Sequence, residues 1–196
     1  MKNSFPIKRQ RKTRETEVEV VFHPYGSGKA QIETGVGFLD HMLELFTVHG
    51  NFDLSVRAVG DLHVDYHHTV EDVGITLGEA LAEALSERKG IARYGEAVIP
   101  MEEALAAVYL DLARRPCFIK RGEIPVEKIG LFDTELVAEF LKSFAMSGLF
   151  TLHVHFKYGQ NAHHLVEAAF KALGHALRRA LTPIAKKEAL SSKGLL

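Results

Sequence analysis

The stretch HHTVEDVGITLGEALAEAL, residues 67–85, recurs later in the chain as HHLVEAAFKALGHALRRAL, residues 163–181. When the sequence is shifted by 96 residues, both histidines, a glutamate four residues after the first histidine and a glycine in the middle of the stretch coincide. Upstream, at an offset of 98 residues, Leu43, Phe46 and Gly50 lie over Leu141, Phe144 and Gly148. We interpret the chain as a duplication, with half-repeats at residues 1–92 and 93–196 that fold as one compact unit.

Each half predicts the same succession of elements. Apolar residues at helical spacing predict a helix over residues 38–50 and another over residues 135–148. Each is followed by a strand of alternating apolar and polar residues, FDLSVRAVG in the first half and LFTLHVHFKYG in the second. The histidine-glutamate stretches then open long amphipathic helices, the first expected to stop at Gly90 and the second limited by Pro183.

The remaining segments supply further strands and complete the prediction of the fold class. Residues 17–34 are expected to form a hairpin, and residues 103–122 to add strands to the second half. The predicted class is α+β, an internal duplication of two half-domains that each contain a β-sheet and two helices. We expect pseudo-twofold symmetry, with the helices packed between two mostly antiparallel sheets.

Composition narrows the function classes. Hydrophobic residues make up 46% of the chain and charged residues 25%, and the formal net charge is -1. This balance disfavours nucleic acid or a membrane surface as a partner, and the basic run at residues 8–14 is typical of a solvated segment. Cys117 is the single cysteine, which excludes a disulfide framework and a cysteine-rich zinc site. Without an apolar N-terminal segment, a cytoplasmic location is expected.

The repeated HH-x-x-E pattern predicts metal binding. Side chains at positions i and i+4 of a helix share a face, whereas neighbours point about 100° apart. His67 and Glu71 can therefore bind one ion while His68 points elsewhere, and His163 with Glu167 forms a second pair. The histidine left over in each half suits the ion of the other half. Two crossed sites are predicted, one of His67, Glu71 and His164 and the other of His163, Glu167 and His68.

A further ligand for each site is expected on the preceding helix. His41 lies there, and the 98-residue offset carries it onto Glu139. Nitrogen and oxygen donors without a thiolate suit Mn, Fe, Co or Zn. A histidine near an apolar surface is more often a satisfied polar residue than a ligand, but the duplicated pattern favours ligation, since buried imidazoles and carboxylates are costly unless paired. The unmatched histidines are interpreted as structural or surface residues: His23, His49, His63, His153, His155 and His175.

Seven motifs carry a family resemblance. They are RKTRETEVEV, GVGFLDHMLELFTVHG, DLHVDYHHTVEDVGITLGEAL, RYGEAVIPMEEALA, DLARRPCF, NAHHLVEAAFKALGHALRRAL and the tail SSKGLL. In this order they resemble imidazoleglycerol-phosphate dehydratase of histidine biosynthesis, from about residue 9 to the C-terminus. The resemblance implies a carbon–oxygen lyase with two manganese ions per active site. It implies His41, His68, His163 and Glu167 as ligands of one ion and His67, Glu71, His164 and Glu139 as ligands of the other; some members have histidine at the last position.

The resemblance also implies substrate contacts and an assembly. Glu15 and His41 are implied to contact substrate, and the implied phosphate ligands are Arg93, Arg115, Ser191, Ser192 and Lys193. Guanidinium groups and a lysine suit phosphate in a chain without a glycine-rich phosphate loop, and Arg114 could take the place of Arg115. The implied assembly is a 24-subunit homo-oligomer whose active sites lie between subunits and form as metal binds.

The implied reaction removes water from D-erythro-imidazole-glycerol phosphate to give imidazole-acetol phosphate. The proton to be removed does not lie beside a carbonyl, so metal ions on the imidazole nitrogens would instead favour an imidazolate that expels the hydroxyl as a diazafulvene-like intermediate. A carboxylate must move the protons. Glu15, Glu71 and Glu167 are the candidates, and Glu15 is favoured because it is not needed as a ligand.

Two other functions fit part of the pattern. A binuclear metal phosphatase would also combine metal ions with arginines, although such sites usually hold more aspartates. It would release inorganic phosphate instead of a ketone. A metal-stapled assembly or storage protein would use the same ligands without catalysis, and would leave no exchangeable coordination position at either ion.

Overall fold

The computed structural model describes residues 5–185, which form two four-stranded sheets, a small two-stranded sheet and four helices. The first half contains β1 (Ile7–Lys12), β2 (Thr16–His23), β3 (Ala30–Glu33), α1 (Gly37–Gly50), β4 (Asp53–Gly60) and α2 (His67–Ala84). The second contains β5 (Tyr94–Met101), β6 (Ala104–Asp111), β7 (Cys117–Arg121), β8 (Lys128–Ile129), β9 (Phe132–Asp133), α3 (Glu135–Ser147), β10 (Thr151–Tyr158) and α4 (Ala162–Ala180).

The two large sheets share one topology. Their strand orders are β1-β2-β4-β3 and β5-β6-β10-β7, and in each the first three strands are antiparallel while the last is parallel to its neighbour. The succession of three strands, helix, strand and helix occurs twice, with β8 and β9 added in the second half. The predicted α+β class with mostly antiparallel sheets is confirmed, and the boundary at residue 92 stays our interpretation of the pattern.

The hairpin predicted over residues 17–34 is wrong. This segment supplies both β2 and β3, but β4 lies between them in the sheet. β3 is parallel to β4, and α1 joins the two strands. Parallel neighbours need such a long crossover connection, whereas a hairpin turn can join only antiparallel strands.

The predicted end of α2 at Gly90 is also wrong, because the helix stops at Ala84. The chain then turns through Arg88, which has a φ of 47°. The buried guanidinium of Arg88 donates to the carbonyl oxygens of Gly148 and Leu149 at 2.7 and 2.6 Å. It thereby satisfies carbonyl groups at the C-terminal end of α3 that the helix itself leaves unpaired.

The helices lie between the two sheets and share one core with them. α2 packs on β1, β2 and β4 and also on α3, while α4 packs on β5, β6 and β10 and also on α1. Alternate residues of the strands face inward, as in β2, where Val18, Val20 and Phe22 are buried. Helix–helix contacts thus join the sheet of each half to that of the other.

Each helix pair crosses at a glycine. A Cβ atom added to Gly174 of α4 would lie 2.6 Å from the Phe46 carbonyl oxygen and 2.8 Å from the Gly50 nitrogen of α1. A Cβ atom on Gly78 of α2 would lie 2.7 Å from the Gly148 nitrogen and from the Phe144 carbonyl oxygen. Because these obstacles are backbone atoms, a side chain could be accommodated only by separating the helices.

Gly174→Ala is therefore expected to destabilise the protein by roughly 1–3 kcal/mol, the usual cost of overpacking a core. Gly37→Ala at the start of α1 is the control, since a Cβ atom there meets nothing within 4 Å. Thermal and denaturant unfolding of both variants would measure the difference. Equal stability of the two variants would contradict the close crossing.

Candidate metal centre

The two histidine pairs begin their helices in the same way. The backbone N–H of His67 donates to Asp65 Oδ1 at 2.7 Å, and that of His163 donates to Asn161 Oδ1 at 2.9 Å. Short polar side chains at these positions are typical helix-start signals, because their oxygens accept the unpaired N–H groups of the first turn. Each pair of imidazoles consequently lies in the first turn of α2 or α4.

Three predicted ligands meet between α1 and α4. Glu167 Oε1 lies 2.8 Å from His41 Nε2 and 3.1 Å from His163 Nε2. The ligand atoms of these three residues all lie within 4.8 Å of one another. The carboxylate side chain is 10% exposed, whereas the two imidazoles are about 40% exposed, so the group is anchored in the interior and reaches the surface.

Lys171 stabilises the charge of this group. Burial opposes ionisation of Glu167, but Lys171 Nζ at 2.7 Å and hydrogen bonds from His41 and His163 outweigh it and lower the pKa of Glu167 to about 2. The carboxylate is therefore ionised at neutral pH and available to a cation. Sequence reasoning missed Lys171, although it follows Glu167 at the i+4 spacing that places both on one helix face.

The donor set and its spacing fit a divalent metal ion. Two imidazole nitrogens and a carboxylate oxygen are the ligand types that such ions take from proteins. Ligand atoms that surround one ion at about 2.0–2.2 Å lie roughly 3 Å apart, which matches the distances from Glu167 to the two imidazoles. Three protein ligands also leave coordination positions for a fourth ligand and for substrate.

The second predicted site is not assembled within one chain. Glu139 occupies the position on α3 that His41 occupies on α1, but its carboxylate lies 3.4 Å from Lys142 Nζ and from Ser143 Oγ. Among residues 5–185, no three-ligand group contains His67, Glu71 or Glu139. The structure thus brings His41, His163 and Glu167 together and leaves the other set apart.

The second histidine of each pair is bound to a carboxylate. His68 Nδ1 lies 2.9 Å from Asp61 Oδ2, and His164 Nδ1 lies 2.9 Å from Glu103 Oε2. These hydrogen bonds raise the pKa of both imidazoles. The bond from His164 and the N–H of Asn161 lower the pKa of Glu103 to about 2. His68 does not join the group around Glu167 within the described part of the chain.

Sequence reasoning missed these carboxylates. Glu102, Glu103 and His164 form the second three-ligand group among the described residues, and both glutamates are exposed. Glu103 lies 61 residues before His164, so no local spacing links the two. Asp61 could have been noticed as an acidic residue in the loop that precedes the first histidine pair.

Two predicted phosphate ligands meet at Asp111. Arg93 is buried, has a φ of 71° and donates from Nε and Nη2 to the two oxygens of Asp111 at 2.7 and 2.9 Å. Arg115 is exposed and its Nη2 lies 3.6 Å from Asp111 Oδ2. Arg114 instead donates to the carbonyl oxygen of Ser86, so Arg115 is the arginine that accompanies Arg93.

Glu15 lies in the turn between β1 and β2, close to the first histidine pair. Its carbonyl oxygen accepts the N–H of Asp61 at 3.1 Å, and its charge helps Asp61 to raise the pKa of His68. The predicted phosphate ligands Ser191, Ser192 and Lys193 lie outside the described residues. None of the helices within residues 5–185 combines the length and apolarity needed to cross a membrane.

Comparison with known proteins identifies similar chains. Residues 34–177 match the model of the imidazoleglycerol-phosphate dehydratase family. The imidazoleglycerol-phosphate dehydratases of Bacillus licheniformis and Bacillus subtilis are 54% and 53% identical over 189 residues, which cover 96% of this chain and 97% of each relative.

Two solved structures of imidazoleglycerol-phosphate dehydratases are also similar to this chain. The crystal structure of the Staphylococcus aureus imidazoleglycerol-phosphate dehydratase has a TM-score of 0.83 and 39% identity, with coverage of 91% of this chain and 99% of that chain. That of the Pyrococcus furiosus enzyme in complex with (S)-C348 has a TM-score of 0.83 and 38% identity, with coverage of 95% of this chain and 99% of that chain.

His163→Ala is expected to lower the number of divalent ions bound per chain, because it removes one of the three donors that converge between α1 and α4. Elemental analysis after loading with Mn²⁺ and gel filtration would measure the loss. His63→Ala is the control, since His63 is exposed and belongs to neither three-ligand group. Unchanged metal content in His163→Ala would remove this residue from the ligand set.

Proposed function

Because the chain belongs to the imidazoleglycerol-phosphate dehydratase family, a family of hydro-lyases in histidine biosynthesis, we propose that it converts D-erythro-imidazole-glycerol phosphate to imidazole-acetol phosphate. The observation that carries this proposal is the group of His41, His163 and Glu167, whose donors meet across 126 residues of sequence. A dehydration without a neighbouring carbonyl needs strong polarisation of the substrate ring, and a divalent ion at this group can supply it.

The proposed cofactors are two divalent metal ions per active site. We propose that both are Mn²⁺, the metal that the family resemblance implies. His41, His163 and Glu167 would hold one ion with His68, and His67, Glu71, His164 and Glu139 would hold the other. When bound, the ions supply Lewis acidity toward the imidazole nitrogens of substrate, which stabilises the deprotonated ring. The chain's own residues must then bind the phosphate and move the protons.

We assign proton transfer to Glu15. A base at carbon needs a carboxylate that is not occupied by a cation, and Glu167 is already committed to Lys171 and two imidazoles. Glu71 is needed in the second ligand set. Glu15 lies on an exposed turn, and its influence on His68 supports a position beside the ligands.

Phosphate binding is assigned to Arg93 and Arg115, with Ser191, Ser192 and Lys193 of the C-terminal segment. The pairing of both guanidiniums with Asp111 supports this assignment, because it holds two cations at one place. Arg93 is also fixed by the contact of its guanidinium with the Tyr94 ring, 4.6 Å from the ring centroid. A buried, oriented guanidinium loses little conformational freedom when an anion binds.

Completion of the two ligand sets would require a second copy of the chain. His68 and His164 are bound to carboxylates of their own half, and neither lies with the ligands to which the crossed scheme assigns it. The histidine pairs lie at helix starts that reach the surface, where another subunit could approach. This supports active sites between subunits, in the 24-subunit assembly that the family implies.

Glu15→Gln is expected to reduce turnover by at least about 100-fold, the usual contribution of general acid–base catalysis, while metal content and assembly stay unchanged. The measurements are ketone formation, metal content and sedimentation. Glu17→Gln is the control, because Glu17 is exposed and pairs with Lys12 on β1. Turnover of Glu15→Gln near that of the control would exclude Glu15 as the base, and release of inorganic phosphate by the unmodified chain would favour a phosphatase.

Removal of divalent ions with a chelator is expected to abolish turnover and to lower the mass of the assembly, because the proposed ligand sets are shared between subunits. Re-addition of Mn²⁺ should restore both. Sedimentation velocity and ketone formation would be measured on the same samples. A metal-free assembly of unchanged mass would show that the ions do not join the subunits.

A further inference from the structure

The two carboxylate–histidine contacts use the same atom of each ring. In both His68 and His164 it is Nδ1 that faces a carboxylate, at 2.9 Å in each case. An ionised carboxylate can only accept a hydrogen bond, so Nδ1 must carry the proton. In the neutral ring the lone pair then lies on Nε2, and a metal ion binds a histidine through the unprotonated nitrogen.

We propose that Asp61 and Glu103 are positioning residues that fix the tautomer and ring orientation of His68 and His164 for metal binding through Nε2. The proposal rests on the proposed function, which makes both histidines ligands. Each carboxylate would affect the bound ion through the histidine that it contacts. Groups that hydrogen-bond to a metal ligand raise metal affinity, because they hold the ligand in its binding orientation before the ion binds.

The two carboxylates come from different places in the repeat. Asp61 follows β4, in the loop that leads to α2, whereas Glu103 lies in the turn between β5 and β6. In the strand ladders, Phe22 pairs with Leu54 as Leu110 pairs with Leu152, so β2 and β6 correspond. Glu15 immediately precedes β2, and Glu103 immediately precedes β6. Glu15 and Glu103 therefore occupy equivalent positions.

Although Glu15 and Glu103 are equivalent, only Glu103 contacts a histidine of its own half. In the second half, the hairpin glutamate, Glu103, is bound to His164 and also accepts the backbone N–H groups of Gln160 and Asn161 at 3.1 and 2.7 Å. In the first half, Asp61 contacts His68 instead. Because Asp61 holds His68, Glu15 is not needed to orient that ring, and its carboxylate is available for proton transfer.

The arrangement of Asp61 is unfavourable for folding alone. Its Oδ1 atom is buried and has no hydrogen-bond partner among the described residues. An unsatisfied buried acceptor destabilises the folded state, because it loses its hydrogen bonds to water without gaining a partner. A residue kept only for stability would be expected to satisfy both oxygens, which supports a role for Asp61 toward His68.

The test compares equivalent positions. Glu103→Gln and Asp61→Asn are each expected to weaken Mn²⁺ binding about 10- to 100-fold, as measured by calorimetric titration of the metal-depleted full chain with Mn²⁺ at one fixed protein concentration. Glu15→Gln should bind Mn²⁺ as the unmodified chain does and lose turnover. Glu102→Gln is the matched control on the same turn, because its carboxylate lies 3.9 Å from His164 Nδ1.

Three outcomes would overturn the proposal. Unchanged Mn²⁺ affinity with a lower unfolding temperature in Glu103→Gln and Asp61→Asn would make both carboxylates merely structural. Equal loss of affinity in Glu102→Gln and Glu103→Gln would make the acidic turn itself a ligand group. If Glu15→Gln lost as much Mn²⁺ affinity as Glu103→Gln, Glu15 would have the same role as Glu103 and would not be reserved for proton transfer.

A different outcome would refute the proposed function. If the unmodified chain bound Mn²⁺ but formed no ketone from the imidazole substrate, the assigned reaction would be wrong, whereas the affinity differences among the variants would still decide the positioning role. Conversely, an active unmodified chain whose variants all bind Mn²⁺ equally would refute the positioning role alone.

Discussion

The site depends on the close approach of α4 to α1 and of α2 to α3. At Gly174 and Gly78 backbone atoms of the neighbouring helix lie within 3 Å of where a Cβ atom would be, so the helices are in close contact and could not approach further without a clash. The contacts follow the same order along both helices of a pair, from His41 with Glu167 to Gly50 with Gly174. The crossing therefore determines which residues meet at the helix starts, where the imidazoles lie.

Duplication provides two equal frameworks, and a few substitutions give them different chemistry. Lys171 neutralises Glu167 in the second half, whereas the repeat places Ile75 at the same position after Glu71. With Lys171 beside it, the buried carboxylate of Glu167 stays ionised in the single chain, where it already contacts His41 and His163. Glu71 has no such neighbour at the i+4 position, and Glu139 turns toward Lys142.

Geometry, and not the pKa, distinguishes two carboxylates that contact imidazoles. Glu167 has two imidazoles and an ammonium around it, and its pKa falls to about 2 despite burial. Glu103 reaches a similar pKa through His164 and a backbone N–H, but at the surface. Glu167 lies among two imidazoles and an ammonium group, whereas Glu103 contacts a single imidazole, that of His164. The difference lies in geometry and not in residue type.

Local periodicity along the sequence determined the helices and most strands, because each depends on residues within a few turns of one another. Comparison of the two halves at offsets of 96 and 98 residues determined the duplication and the candidate ligands. Only the tertiary structure decided that β4 lies between β2 and β3, that α2 ends before Arg88, and that Asp61 and Glu103 contact His68 and His164. These features depend on contacts between distant segments, which no local spacing encodes. His41 reaches Glu167 across 126 residues because Gly174 lets α4 cross α1 closely, and that packing exists only in the folded chain.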